Sequence, residues 1–216
     1  MINTVIFDLD GTLINSLEDI QTGVNYALNY YGYKERSLEE IRCFIGNGAD
    51  MLIKQALPGN TKKADFENVL RLYKGYYDEH SVVKTKPYEG IMELMADLKR
   101  LNINVAVNTN KPDFVANLIT AYFFKDILTV GADVEKRRKK PYSDGVDYII
   151  KMLAVNRKSC IYVGDTAVDI ETAKNSRVKS VGVLWGFRDY IELKEADYIV
   201  SKPKEILEII KNSYGV

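Results

Sequence analysis

Four short polar clusters in this 216-residue chain contain the residue types that phosphoryl transfer requires. Carboxylate oxygens bind a hard cation such as Mg²⁺, and hydroxyl and ammonium groups donate to phosphoryl oxygens. A carboxylate can also attack phosphorus as a nucleophile. These residue types therefore predict phosphoryl transfer through an aspartyl-phosphate. The clusters are Asp8 with Asp10, Thr109 to Lys111, Lys139 to Pro141, and Asp165 with Thr166 and Asp169.

The first cluster, Asp8 with Asp10, does not by itself indicate one particular function. Asp8 and Asp10 follow an apolar, β-branched run and precede Gly11. Alternate residues of a strand point to the same side, so the two carboxylates start on one side and repel each other. A bound cation or a proton would relieve that repulsion. An ordinary solvated turn and a calcium loop have the same pattern, so the other clusters must decide.

The elements around these clusters predict a parallel sheet. From residue 89 onward, apolar strand-like runs alternate with helical patterns, which is typical of crossover connections and of a sheet covered on both faces. In such sheets, ligands bind beyond the carboxyl ends of the strands. We predict strands at 2–9, 103–107, 126–130, 159–163, 179–184 and 198–200, and helices at 89–101, 113–123, 142–153, 169–176 and 203–212.

A purely helical block follows the first predicted strand. Its predicted helices cover 17–31, 37–44, 49–57 and 61–80, and Asn15 or Ser16 is expected to form a capping box with Glu18 or Asp19. The fold class is therefore α/β, with a Rossmann-like parallel sheet and an inserted helical domain. We expect a core domain formed by 1–14 and 83–216, and a helical domain at 15–82.

Composition limits the functional classes. Hydrophobic residues make up 46% of the chain, enough for a core. Basic and acidic residues both number 30, so nucleic acid is not an expected partner, although 136–140 is locally basic. Cys43 and Cys160 are expected to be free thiols of a reducing compartment. The sequence shows no signal peptide or membrane span, which predicts a cytoplasmic protein without a membrane partner, as a monomer or homodimer.

The order of the four motifs resembles that of the haloacid dehalogenase (HAD) superfamily of phosphatases, in the subclass with a helical cap. The resemblance covers essentially the whole chain. It implies a HAD-like core, a cap at 15–82, and Asp8 as the nucleophile. Asp10 would be the general acid that protonates the leaving oxygen and then the base that activates water. Halide-removing members lack the second aspartate, so Asp10 argues against dehalogenation.

The resemblance also implies a ligand set. Mg²⁺ would be held by Asp8, the backbone carbonyl of Asp10, and Asp165. Thr109, Asn110 and Lys140 would bind the phosphoryl group, while Thr166 and Asp169 support the site. Lys139 is the alternative to Lys140 as the lysine of the family's third motif. Ser143 replaces the second proline of the third motif, and Asn15 replaces an aspartate that is common after the first.

The segment Ile45 to Asp50 resembles the cap segment of phosphoglycolate phosphatases. Gly46 and Asn47 are therefore candidate substrate contacts, although a simple helix break is an equal alternative. The resemblance implies a small phosphorylated metabolite, with 2-phosphoglycolate the leading substrate. Alternatives are a pyrophosphatase, a β-phosphoglucomutase-like mutase and, from another class, a receiver-like phospho-aspartate signalling module. The receiver alternative is disfavoured because its lysine comes last in the chain, whereas Lys140 precedes Asp165.

Overall fold

The computed structural model describes residues 1–213, and these form two compact units. One unit contains Met1–Ile14 together with the chain from Pro87 onward, and we call it the core unit. The other is Asn15–Lys86, which we call the helical unit. The helical unit ends four residues later than the insertion expected from the sequence. Among residues 1–213, no helix has the length and apolarity needed to cross a lipid bilayer.

A six-stranded parallel sheet forms the centre of the core unit, which confirms the predicted α/β class. Its strand order is β5-β4-β1-β6-β7-β8. The first strand is therefore central and pairs on both sides, in agreement with its wholly buried, apolar sequence. The strands are β1 (Thr4–Phe7), β2 (Ile14–Asn15), β3 (Lys86–Pro87), β4 (Asn104–Pro112), β5 (Leu128–Ala132), β6 (Cys160–Gly164), β7 (Lys179–Val183) and β8 (Tyr198–Val200). Of these, β2 and β3 are two-residue strands at the points where the chain passes between the units.

The helical unit contains α1 (Leu17–Tyr30), α2 (Leu38–Phe44), α3 (Ala49–Ala56) and α4 (Lys63–His80). Helices α1 and α4 pack against each other, with Tyr73 and Tyr77 buried. The rings of Tyr26 and Tyr76 stack with 4.3 Å between their centroids. These four tyrosines therefore contribute to packing between helices, as their helical spacing suggests, whereas Tyr30 and Tyr31 are exposed.

The core unit has six α-helices within the described residues, and the first four of them pack against the sheet. The six are α5 (Ile91–Arg100), α6 (Asp113–Phe123), α7 (Asp144–Leu153), α8 (Ala167–Asn175), α9 (Tyr190–Leu193) and α10 (Lys204–Asn212). Val146 and Ile149 of α7 and Ala173 of α8 pack in one buried cluster with Ile6 and Tyr162 of the central strands. This packing fixes the loops that follow β1, β4 and β6, where the polar clusters lie.

Two local predictions were wrong. The strand predicted to end at residue 107 continues to Pro112, and its register against β5 shifts between Asn108 and Pro112. Such a shift re-aims side chains at a strand end. The capping box of α1 is also absent, because Ser16 makes no side-chain cap hydrogen bond. Asp19 instead accepts hydrogen bonds from the chain at 84–85. By contrast, Ser37 forms a capping box with Glu40, and α2 extends to Phe44 as predicted.

Asp19 provides a stability test for the helical unit. Its buried carboxylate accepts from the backbone N–H groups of Lys84 and Thr85 and from the Thr85 hydroxyl, at 2.8–3.0 Å. Removal of the carboxylate would leave these donors unsatisfied. We predict that Asp19→Ala lowers the free energy of unfolding by about 2 kcal/mol, measured by urea denaturation. Glu67→Ala, at an exposed position of α4, is the control, with an expected change within ~0.5 kcal/mol. Equal effects of the two substitutions would contradict this role of Asp19.

Candidate active site

The site begins where the buried strand β1 ends. The N–H of Asp8 donates to the carbonyl of Val163 at 2.8 Å, so Asp8 continues the ladder between β1 and β6. Gly11 then turns the chain with φ of +83°, a conformation that favours glycine. Asp8 is buried, whereas Asp10 is partly exposed. The sheet thus presents two carboxylates at the carboxyl end of its central strand.

Carboxylates from two neighbouring strand ends meet here. One oxygen each from Asp8, Asp165 and Asp169 lies within 4.8 Å of the others, and all three residues are buried. The register explains the meeting, because Phe7 pairs with Val163 and the chain continues beyond both strands in parallel. The structure therefore brings Asp8 together with two acids that lie 157 and 161 residues later in the chain.

Both oxygens of Asp165 are held by neighbouring groups. The hydroxyl of Thr12 donates to Oδ1 at 3.1 Å, and the backbone N–H of Phe187 donates to Oδ2 at 2.8 Å. The chain also approaches this carboxylate closely at two glycines. A Cβ on Gly11 or on Gly186 would lie 2.3 Å from an atom of the Asp165 side chain. Larger residues at these positions would displace Asp165.

Lys140 supplies the positive charge within the cluster. Its Nζ lies 2.8 Å from Oδ1 of Asp8 and 2.6 Å from Oδ1 of Asp169. Lys140 is buried, whereas its competitor Lys139 is exposed. The structure thus places Lys140, and not Lys139, among the acidic residues.

Asn110 fixes the backbone of Lys140. Its side-chain amide donates to the carbonyl of Lys140 at 3.2 Å, and its Oδ1 accepts from the N–H of Lys140 at 2.8 Å. The sequence had assigned Asn110 to phosphate binding. In the structure its side chain, near the end of β4, bonds to the main chain of Lys140, and phosphate binding by Asn110 stays a prediction. Asn110 thereby positions the loop that delivers the lysine.

Thr166 and Asp169 form one unit at the start of α8. The Asp169 Oδ2 accepts from the N–H of Thr166 at 3.0 Å and from its hydroxyl at 2.7 Å, while Oδ1 accepts from Lys140. Asp169 is thus held by its helix start and directed at the lysine. This geometry fits the supporting role that the sequence assigned to both residues.

Asp10 forms an ion pair with a second lysine, Lys111. The Nζ of Lys111 lies 2.9 Å from both carboxylate oxygens of Asp10. Lys111 belongs to the second polar cluster of the sequence, but its contact with Asp10 was not predicted. The one available signal was its place directly after Thr109 and Asn110, at the end of the strand beside β1.

Burial and crowding change the protonation of the cluster. Burial raises the pKa of the Asp8 carboxyl to about 7, and the charge of Lys140 only partly opposes this effect. Burial, with the charges of Asp169 and Asp8, raises the pKa of Asp165 well above its usual range. Burial alone would lower the pKa of Lys140, but Asp169 and Asp8 raise it well above its ordinary value. One ammonium therefore does not balance all three carboxyl groups, and Asp8 and Asp165 retain a proton more readily than ordinary carboxyl groups do.

The donor set fits a hard divalent cation. Its members are carboxylate oxygens, the ligands that Mg²⁺ prefers. The Oδ1 of Asp8 is buried and receives no hydrogen bond, because the Lys140 ammonium approaches it outside hydrogen-bonding geometry. A buried anionic oxygen of this kind needs a further partner. A cation beside Asp8 and Asp165 would supply one and would reduce their mutual repulsion.

The remaining predicted site residues are Thr109, in the core unit, and Gly46 and Asn47, in the helical unit. Thr109 is buried near the end of β4, and its hydroxyl accepts from the N–H of Lys111 at 3.3 Å. Gly46 and Asn47 lie in the helical unit, in the turn between α2 and α3. The helix break is therefore observed there, and substrate contact by these two residues stays a prediction.

The basic run at 136–140 is balanced locally. Arg137 pairs with Asp113 at 3.2 Å, and Arg138 pairs with Asp144 at 2.8 Å. These neighbouring carboxylates compensate two of its charges, and Lys140 is turned inward. The run thus does not form the uniformly positive surface that a phosphate backbone would require.

Comparison with known proteins agrees with this geometry. A family model described as "Haloacid dehalogenase-like hydrolase" matches residues 5–183. A phosphoglycolate phosphatase of Vibrio parahaemolyticus is 30% identical, over 97% of this chain and 96% of its own length. The crystal structure of a candidate phosphoglycolate phosphatase from Lactobacillus delbrueckii has a TM-score of 0.90 at 29% identity, covering 96% of this chain and 98% of that one.

A third likeness concerns the fold alone. The structure of a β-phosphoglucomutase from Clostridium difficile has a TM-score of 0.76 at 21% identity, covering all of this chain and 98% of that one. The family match spans the four polar motifs, and the resemblance drawn from those motifs is confirmed. The chain belongs to the haloacid dehalogenase-like hydrolase family.

Proposed function

We propose that this protein is a magnesium-dependent phosphomonoester hydrolase that works through an aspartyl-phosphate on Asp8. One observation supports this most strongly: the ends of β1 and β6 bring Asp8, Asp165 and Asp169 together, with the ammonium of Lys140 against Asp8 and Asp169. That arrangement offers a nucleophile, oxygen ligands for a cation and a donor for phosphoryl oxygens. The family is one of hydrolases, and its relatives named above include phosphatases.

In the first half-reaction, a carboxylate oxygen of Asp8 forms a bond to phosphorus while the bond from phosphorus to the ester oxygen breaks. The leaving oxygen takes a proton from the carboxyl group of Asp10, so the alcohol departs neutral. Lys140 and Thr109 are the donors assigned to the phosphoryl oxygens. Asp169 holds Lys140 in position through its 2.6 Å contact.

In the second half-reaction, water attacks the phosphorus of phospho-Asp8. Asp10 accepts a proton from that water, the bond from phosphorus to Asp8 breaks, and inorganic phosphate leaves with the carboxylate restored. Asp10 is thereby returned to its protonated form. The more exposed position of Asp10, compared with the buried Asp8, suits a group that exchanges protons with the substrate and water.

Asp8, Asp165 and the backbone carbonyl of Asp10 would hold the Mg²⁺. When bound, the ion supplies electrostatic stabilisation for the negative charge shared by the phosphoryl oxygens and the carboxylates. The hydrogen bonds from Thr12 and Phe187 orient Asp165 for this role. Asp169 is committed to Lys140 and Thr166, so we assign it a supporting position.

The proposed substrate is 2-phosphoglycolate. Two observations support it. The segment Ile45 to Asp50 resembles the cap segment of phosphoglycolate phosphatases, and the Vibrio parahaemolyticus relative, which matches this chain over nearly the full length of both, has that name. Gly46 and Asn47 of the helical unit are the proposed substrate contacts. A β-phosphoglucomutase-like activity has only fold-level similarity in its favour.

The nucleophile can be tested directly. With Mg²⁺ present, we expect the protein to release phosphate from 2-phosphoglycolate, and Asp8→Asn to reduce kcat by roughly 10³-fold or more, because the amide cannot form the acyl phosphate. Asp97→Asn, at a partly exposed position of α5 where Asp97 pairs with Arg100, is the folded control with unchanged kcat. Steady turnover by folded Asp8→Asn would contradict the nucleophile assignment. Faster transfer between positions of a hexose phosphate than release of phosphate would favour the mutase.

The charge imbalance predicts how stability depends on pH and magnesium. The folded-state pKa of Asp8, about 7, exceeds its unfolded value of 3.8. The folded metal-free protein therefore binds more protons than the unfolded chain between these values, and its stability falls as pH rises through that window. Mg²⁺ should replace the missing positive charge above pH 7. We expect saturating Mg²⁺ to raise Tm by about 5 °C or more at pH 7.5, and clearly less at pH 5.5.

Differential scanning fluorimetry in the presence of a chelator or of Mg²⁺ provides this measurement. Asp8→Asn is the matched control, because it removes both the titrating group and a ligand. Its response to Mg²⁺ should be small at both pH values. A wild-type shift independent of pH, or a shift preserved in Asp8→Asn, would contradict the proposed metal site.

A further inference from the structure

The ion pair of Asp10 with Lys111 is more enclosed than a surface salt bridge. The ammonium lies 2.9 Å from both oxygens of the carboxylate. The side chain of Lys111 is 4% exposed and that of Asp10 is 12% exposed. Exposed pairs have little fixed geometry, whereas a buried two-oxygen contact restricts the orientation of the carboxylate. Lys111 therefore determines where the Asp10 side chain points.

The backbone around both partners is also fixed. Lys111 lies in the irregular end of β4, next to central β1, and its N–H donates to the hydroxyl of Thr109. The residue after it, Pro112, directly precedes α6. Asp10 forms a backbone bridge with Ile14 at the turn after β1. The lysine thus extends from a rigid strand end to a carboxylate on a tight turn.

The two buried lysines of the site have different partners. Lys140 contacts Asp8 and Asp169, whereas Lys111 contacts Asp10. The proposed mechanism uses Lys140 but gives Lys111 no part. Each lysine thus faces one of the two carboxylates that the reaction uses differently, the nucleophile and the proton carrier.

We propose that Lys111 is the positioning residue for Asp10, holding its carboxylate in the orientation from which it serves the leaving oxygen. This inference rests on the proposed function, in which Asp10 exchanges a proton with that oxygen. Small errors in the placement of a reacting group reduce rates strongly. Because the ammonium already contacts both oxygens of Asp10, Lys111 acts through that residue and not on the phosphoryl group.

A direct substrate contact is the competing role for Lys111. An ammonium that binds a remote anionic group of the substrate would change KM for charged substrates, whatever the leaving group. A positioning residue for the proton carrier changes the rate of ester cleavage instead, and most where the leaving oxygen needs a proton. Phenyl phosphate and 4-nitrophenyl phosphate separate the two roles. They have similar shapes and no remote charge, but 4-nitrophenolate leaves readily without protonation.

The experiment compares kcat/KM for both esters, which reports the steps up to loss of the phenol, in wild type, Lys111→Met and Lys111→Gln. Lys139→Met, at an exposed lysine, is the matched control. We expect Lys111→Met to lose roughly tenfold more kcat/KM on phenyl phosphate than on 4-nitrophenyl phosphate. Lys111→Gln keeps a donor and should show a smaller loss of the same kind. Circular dichroism establishes folding, and Lys111→Gln decides the question if Lys111→Met does not fold.

A double-substitution cycle completes the test. In an Asp10→Asn background, which lacks the proton carrier, Lys111→Met should change kcat/KM by less than about twofold, because the two residues act as one unit. Equal losses on both esters, or additive losses in the cycle, would overturn the positioning role while leaving the phosphatase intact. Absence of turnover by the wild type on any phosphomonoester would overturn the proposed function, and the role of Lys111 with it.

Discussion

The structure depends on a balance of charge at the carboxyl end of its sheet. Asp8, Asp165 and Asp169 approach one another in a buried pocket, and the ammonium of Lys140 lies against two of them. Desolvation opposes such an arrangement, as the raised pKa of Asp8 indicates. The fold tolerates it because neighbouring donors hold each charged group in place. The carboxylates of this pocket would also bind a divalent cation, and the ammonium of Lys140 would bind a phosphoryl group.

Supporting contacts come from several loops and not from one motif. Thr12 and the N–H of Phe187 orient Asp165, Asn110 fixes the backbone of Lys140, and Thr166 fixes Asp169. Close approach of the chain at Gly186 permits the Phe187 contact. Asp165 and Lys140 therefore have partners from other elements, and Asp169 is held within the start of its own helix, α8. Such support is how a rigid sheet can fix groups on its loops to the accuracy that catalysis requires. The parallel register of β1, β4 and β6 makes this convergence possible.

The main features of the core could be predicted from sequence. Parallel strands end at a common edge, so Asp8 and Asp165 were expected to meet once their strands were recognised. Contacts that depend on loop paths could not be predicted in this way. The choice between Lys139 and Lys140, the bond of Asn110 to Lys140, and the pairing of Lys111 with Asp10 all follow from tertiary packing. Asp19 shows the same limit, because local spacing suggested a helix cap whereas a distant segment supplies its partners.

In the proposed metal site, the acids that follow β1 and β6 hold one divalent cation together. Anomalous diffraction from crystals soaked in Mn²⁺, used as a substitute for Mg²⁺, tests this site. We expect a single strong peak within about 2.3 Å of a carboxylate oxygen of Asp8 and of one of Asp165. We also expect loss of that peak in Asp165→Asn. A peak bound by only one of these two residues, or no peak at saturating Mn²⁺, would contradict it.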